Sequence, residues 1–359
     1  MLRTDPAVFA VGNNYQIVVT SKTQSFVSIK IGDELFVDDS NGILRSSSRT
    51  HKFDVPQELL NSEKHYTIIE KCIIKRLPYF TQTRKDKFFE YDFIPIPEKN
   101  PKAYHISDAH NLVDKPVEAA KNYGNFDFLI LNGDIPNHSG TVKNFETIFD
   151  IASAVTHGNK PIVFARGNHD LRGNCAEKFA LYTPADNGRT YYSFRLGNIW
   201  GLCLDCGEDK PDDHEEYGFS VACHQMRQKE TKLIKEIIAN SEKEYNAPGI
   251  THKLIIVHVP FTKKFSPPFD IEEDIYREWA ALLKEEVKPD LMICGHTHHY
   301  AINEPGSNYD DYGQPCKMIV AGYKSDEEFG GTGFEFTDKG IKYKFTLSDG
   351  SVKGEGIIF

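Results

Sequence analysis

No stretch of the 359-residue chain approaches the ~20 consecutive apolar residues that a membrane-spanning helix needs. The N-terminus also lacks the pattern of a secretory leader. Its apolar run is about five residues, short of the roughly 7–15 of such a segment, and Asp5 lies just before it. Basic charge is in deficit, with 42 Lys and Arg against 52 Asp and Glu and a formal charge of −10. That argues against non-specific nucleic-acid binding and against anionic membranes, because both draw on basic surface. Cysteine is sparse: the seven residues are odd in number and scattered, which reads as reduced thiols in a cytoplasmic protein. Gly and Pro are near average use, and no repeat or low-complexity tract occurs. With 40% apolar and 26% charged residues, the chain is neither disordered nor collagen-like.

What is present is two patterns joined at a proline-rich segment. Residues 1–96 read as short strands at 15–20, 25–31 and 34–37, divided by turn clusters such as Gly12-Asn-Asn and Asp38-Asp-Ser-Asn-Gly. This spacing predicts an N-terminal all-β sandwich domain of the fibronectin-III or immunoglobulin kind, and Leu60 followed by Tyr66 resembles its tyrosine corner. Residues 97–101, within Pro95-Ile-Pro-Glu-Lys-Asn-Pro101, read as a stiff linker. From 102 to 359, apolar strands at 103–107, 127–131, 162–165, 191–195, 254–257 and 291–294 alternate with helical patterns. The helices fall at 113–123, 141–156, 225–240 and 272–286, and Gly-rich hairpins close the chain. This predicts an α/β domain with a central β-sheet core flanked by helices.

In open α/β sheets, ligands bind beyond the carboxyl ends of the strands. Five strands here run out into metal-ligand residue types: Ser107-Asp108-Ala-His110, Asn132-Gly133-Asp134, Arg166-Gly167-Asn168-His169-Asp170, His258-Val-Pro260 and Gly295-His296-Thr-His298. One such string alone is a turn or a helix cap. Five in succession point to a single site, with glycines that bring backbone close to a ligand. Imidazole, carboxylate and amide ligands without thiolate suit Mn, Fe or Zn, and not a structural Cys-type zinc site. Cys294 adjoins the last string and is expected to point into the strand core. Cys203 and Cys206 have C-x-x-C spacing, but they end an apolar run with no second pair, and they read as buried strand residues.

The order D-x-H, G-D, G-N-H-[DE], H and G-H-x-H resembles the calcineurin-like metallophosphoesterase superfamily over residues 102–300, with all five motifs intact. The resemblance implies a two-sheet core and a dinuclear centre of divalent ions. Asp108, His110 and His298 would hold one ion; Asn168, His258 and His296 would hold the other; Asp134 would bridge them. It also implies a phosphoesterase in which a metal-bridging hydroxide attacks phosphorus in line and His169 protonates the leaving group. Asp170 would orient His169, or cap a following helix. His138 and Arg172 are candidate phosphate contacts, with a loop position and a surface salt bridge as their plainer roles. His299 is expected to face away, and His105 to be a core or edge residue.

An N-terminal β-sandwich before such a domain resembles the purple acid phosphatases. Two departures matter: Gly133-Asp134-Ile-Pro-Asn137 lacks the Tyr ligand of G-D-x-x-Y, and His110 supplies an imidazole absent from that branch. A colourless enzyme is expected. A phosphomonoester is favoured over a diester of the cyclic-nucleotide type. A non-catalytic protein-binding module is the third reading, disfavoured by the intact motifs. The loop 206–217 is the candidate specificity loop, and its acidic run would repel polyanions. The expected partner is a small phosphorylated substrate, not nucleic acid or membrane, and a protein partner for the N-terminal domain is left open.

Overall fold

The structure, a computed structural model, describes residues 1–325 and 327–359. Alternation along the strands sets its layers. In Phe128–Asn132, Phe128 and Ile130 enter one apolar core while Leu129 and Leu131 enter another. In His252–Val257, Leu254 and Ile256 meet the first core from the opposite side, and Ile255 and Val257 face a third. Strands buried on both faces therefore form two sheets packed face to face. Helices Asp114–Tyr123 and Glu146–Thr156 cover the outside of one sheet, and Cys223–Ala239 and Glu273–Leu282 the outside of the other.

The first sheet has nine strands, centred on the parallel set Lys102–Ile106, Phe128–Asn132, Pro161–Ala165 and Ala7–Val11. The closing hairpins Gly330–Thr337, Gly340–Leu347 and Val352–Ile358 extend one edge, with Glu335 opposite Lys102. The second sheet has six strands and carries Ile199–Leu204, His252–Val257, Leu291–Cys294 and Met318–Val320 in parallel. Cys203, Cys206 and Cys294 are free and buried within these layers. Among the described residues no helix is long and apolar enough to cross a membrane.

A strand-rich N-terminal region precedes this α/β body, yet the expected division at 97–101 does not separate two cores. Ala7–Val11 pairs in parallel with Pro161–Ala165, placing Val8 opposite Pro161. Asn14–Thr20 and Thr50–Pro56 continue the same sheet outward. Most of the remaining N-terminal strands, chiefly Ser25–Ile31, His65–Leu77 and Lys87–Asp92, form a separate five-stranded sheet, and Asp39–Ser40 pairs only with Ile43–Leu44. Its Val27, Ile29 and Ile68 pack into the central core that also holds Val163 and Ile256. Tyr66 shows the same continuity. Its hydroxyl donates to the Gly158 carbonyl at 2.6 Å, across 92 residues of sequence. A corner tyrosine bonds only a few residues upstream, so Tyr66 ties the two regions together instead.

Candidate metal centre

Parallel strands in one sheet end at the same level, so their exits converge. The first sheet delivers Asp108, His110, Asp134 and Asn168, and the second delivers His258, His296 and His298. Five of these seven have left-handed backbone, with φ of 58° at Asp108, 45° at His110, 52° at Asp134, 69° at His296 and 54° at His298. Each such non-glycine residue costs on the order of 1 kcal/mol or more, and clustering of this strain marks functional sites. Glycines make room for the approach. A Cβ on Gly167 would lie 2.3 Å from Asp134 Oδ1, and one on Gly322 would lie 2.4 Å from Asp108 Oδ2.

The Asp108 carboxylate is divided between two tasks. Oδ2 accepts from the Ser107 hydroxyl at 2.5 Å and the His296 N–H at 3.0 Å. Oδ1 is buried with no hydrogen bond. Around it stand the Nε2 atoms of His298 at 3.2 Å, His258 at 3.7 Å and His110 at 4.0 Å. Asp134 is divided likewise: Oδ1 accepts the His169 N–H at 2.8 Å, and Oδ2 lies 3.2 Å from His258 Nε2. The His258 ring is fixed by Nδ1–H donation to the Asn132 carbonyl at 2.7 Å, which leaves Nε2 buried and unbonded. Asn168 Oδ1 and His296 Nδ1 are 3.1 Å apart. Separations near 3 Å are those of neighbouring ligand atoms around one cation when each bond is about 2.1 Å.

Three groups of ligand atoms emerge among the described residues: Asp108 with His110 and His298, Asp134 with His258 and His296, and Asp134 with His110 and His169. The donor set therefore fits divalent ions, which would be held by these residues and Asn168. The electrostatics agree. Burial lowers His110 and His296 to about 4, so both imidazoles are neutral at pH 7 and offer lone pairs. Burial acts the same way on His258, but Asp134 and Asp108 outweigh it and raise that group to about 10. Burial opposes the charge on Asp134 too, yet His258 and then His169 hold its carboxyl well below the usual range. The carboxylate pair thus demands positive charge where His258 Nε2 points, and a cation meets that demand as a proton does.

His169 lies beside Asp134, with Nε2 at 3.9 Å from Oδ2. Its ring is not oriented by Asp170, which corrects one expectation. The Asp170 side chain turns back to accept the Gly167 N–H at 2.8 Å, because the turn it closes buries it completely. The orienting group is instead the Asn137 carbonyl, which accepts from Nδ1–H at 2.8 Å. Asn137 stands where G-D-x-x-Y has its tyrosine. Arg172 is drawn into the site: Nη1 donates to His169 Nε2 at 3.1 Å, while Nε and Nη2 hold Glu208 and Nη2 reaches Asp209. His138 is exposed and kept in its own loop, its Nδ1 accepting from Gly140 N–H at 3.0 Å, which does not place it on a phosphate. His299 turns to Tyr309 and the Thr297 carbonyl, and His105 is wholly buried.

The loop 206–217 does reach the site, since Asn168 Nδ2 donates to Asp209 Oδ2 at 3.3 Å. Three of its six acids are paired with cations. Glu208 and Asp209 pair with Arg172, and Glu216 with Lys210 at 2.7 Å. Arg227 anchors the loop from beneath by donating to the carbonyls of Cys206 and Glu208. One neighbour escaped sequence reasoning. Met318–Val320 is a sixth strand exit, Gly322 just beyond it packs on Asp108, and Lys324 follows. Burial holds the Lys324 ammonium below its ordinary value, with Asp108 and Asp134 opposing. The cue was a glycine after an apolar strand, the pattern also seen at Gly133, Gly167 and Gly295.

Two facing sheets with helices outside, and imidazoles and carboxylates gathered at their shared edge, define a metallophosphoesterase fold. The model of the calcineurin-like phosphoesterase family matches residues 101–300, more than half of the chain, and the chain belongs to that family. Purple acid phosphatase PPD1 from yellow lupin (Lupinus luteus) seeds is similar in fold, at TM-score 0.60 and 15% identity, covering 98% of this chain and 73% of that one. A metallophosphoesterase from Sphaerobacter thermophilus also matches, at 12% identity and TM-score 0.29 over 66% of this chain and 84% of that one. So does Vacuolar Protein Sorting 29 from Cryptosporidium parvum, at 11% identity and TM-score 0.36 over 72% of this chain and 99% of that one. Among curated proteins none matches.

Proposed function

We propose that the chain is a dinuclear metal-dependent hydrolase of a small phosphate ester, with a monoester preferred to a diester. The observation that carries this reading is the buried, unbonded pair Asp108 Oδ1 and His258 Nε2, 3.7 Å apart among neutral imidazoles. Two divalent ions, Mn, Fe or Zn, if held there, would supply Lewis acidity toward phosphoryl oxygens and a water acidic enough to attack near neutral pH. The chain's own residues do the rest. Asp134, grouped with His258 and His296 on one side and with His110 and His169 on the other, would tie the two halves of the site together. His169, with Nδ1–H committed to the Asn137 carbonyl, would take up a proton from solvent at Nε2 and pass it to the leaving oxygen. Once protonated, Nε2 no longer accepts from Arg172 Nη1. Glu208 and Asp209 hold the planar guanidinium in place as one unit, so Nη1 is left to donate to a phosphoryl oxygen.

The test compares hydrolysis of a chromogenic phosphomonoester with that of its diester analogue, with added manganese and Asp134→Asn as control. Monoester turnover abolished by the substitution supports the proposal. Diester preference moves the chain to the phosphodiesterases. Silence toward both esters across several metals overturns hydrolysis and favours the binding-module reading.

A further inference from the structure

A cavity of about 1100 Å³ lies between the N-terminal strands and the start of helix Glu146–Thr156, and shares no residue with the metal centre. It is at the upper end of the volumes that small ligands fill. Seven Lys and Arg side chains line it against a single carboxylate, Glu146, in a chain whose net charge is −10. Arg3 is answered by Asp150 at 2.8 Å, and Arg45 by Asp38 at 3.2 Å. Lys22, Arg49, Lys143 and Lys178 have no carboxylate within 4.0 Å among the described residues, and neither has Arg76, which donates to the Ser46 hydroxyl. Arg3 Nε, buried on the same wall, lacks any acceptor.

Five exposed cations without carboxylate partners line one void and give it a positive potential that an anion seated among them would meet from several sides. They arrive from five separate segments of the chain. The void is roughly 13 Å across if compact, too wide for one phosphate to meet them all. Serine hydroxyls from the run Ser46-Ser47-Ser48 add neutral donors on the same wall. Phe145 and Phe149 give it an apolar floor. We propose that this cavity is a second binding site, for a small soluble polyanion carrying two or more phosphate groups. The negative charge of the whole molecule selects against long polyanions, while the cavity attracts a short one.

The test is calorimetric titration of the full chain with inorganic tripolyphosphate, after chelator treatment and desalting so that the metal centre does not compete. Micromolar binding is expected, weakened by about tenfold or more in Arg49→Ser/Lys178→Ser. Both side chains are exposed, so the variant should melt as the wild type does. Lys339→Ser, on the closing hairpin, should bind as the wild type does. Binding that is absent below millimolar concentration, or equal in all three proteins, overturns the proposal. So does capture on phosphoinositide vesicles without affinity for soluble tripolyphosphate, which would assign the cavity to a lipid headgroup.

Discussion

Arg172 is held at three of its nitrogens, Nε and Nη2 by carboxylates and Nη1 by His169 Nε2 alone, so Nη1 is the donor that a phosphoryl oxygen can take over. If Nη1 serves a phosphoryl oxygen, Arg172→Ala should lower kcat/KM by roughly 10²-fold, the scale of one charge-assisted transition-state contact. The substitution also leaves Glu208 facing the site unpaired, and burial already pushes that carboxyl up against the pull of Arg172. Steady-state kinetics of Arg172→Ala/Glu208→Gln separates the two effects. The double variant should stay as impaired as the single one; recovery would show that the bare carboxylate, and not the missing guanidinium, caused the loss.

His105 makes a different prediction at the same scale. Both ring nitrogens are buried without a partner. Burial lowers the group to about 3, with Asp108 opposing and His258 adding to the shift. Between that value and the ordinary 6.5 or so, the unfolded chain binds a proton that the folded chain refuses. The stability His105 contributes is therefore complete above pH 6.5 and is lost as pH falls. At pH 5 the loss is on the order of 2 kcal/mol. Denaturant unfolding at pH 7 and pH 5 in chelator should show a smaller acid penalty for His105→Phe than for the wild type. Equal penalties would mean that water reaches the ring.

At the scale of elements, Tyr66 on the strand His65–Leu77 is the clearest joint between the N-terminal sheet and the α/β body. Tyr66→Phe keeps the ring, stacked on Tyr91 at 5.3 Å, and removes only the bond to Gly158. It should cost about 1–2 kcal/mol, read as a lower denaturant midpoint with an unchanged slope. A slope change would mean that the two sheets had come apart. Tyr66 also shows where sequence stops being legible. The long strands and helices of the α/β body were readable to within a few residues, because apolar runs and helical periodicity are local, whereas the three-residue strands Ala301–Asn303 and Met318–Val320 were too short to show either. The five ligand strings were readable because strand ends share a level. The pairing of Ala7–Val11 with Pro161–Ala165 was not, since no local pattern says which distant edge a strand will join. The same holds for His169, whose partner is the Asn137 carbonyl: its identity depends on a loop path, and Asp170 was only the nearer carboxylate in sequence.

At the scale of the whole molecule, the shared sheet decides whether residues 102–359 can stand alone. Removing residues 1–96 strips Ala7–Val11 from the edge of Pro161–Ala165. Val8, Phe9 and Val11 are all buried, at 0%, 0% and 7% exposure. Burying three such side chains is worth roughly 5–8 kcal/mol, comparable with the 5–15 kcal/mol that holds an entire domain folded. The deletion also bares an inner parallel strand as a flat apolar edge, a template for aggregation. The full chain should therefore melt in one calorimetric transition, with calorimetric and van't Hoff enthalpies equal. The fragment 97–359 should be insoluble or lack a cooperative melt. A monomeric fragment that melts cooperatively would show that the strands Ala7–Val11, Asn14–Thr20 and Thr50–Pro56 only lean on the α/β core. The energetic boundary would then lie at the proline-rich linker, even though the hydrogen bonds cross it.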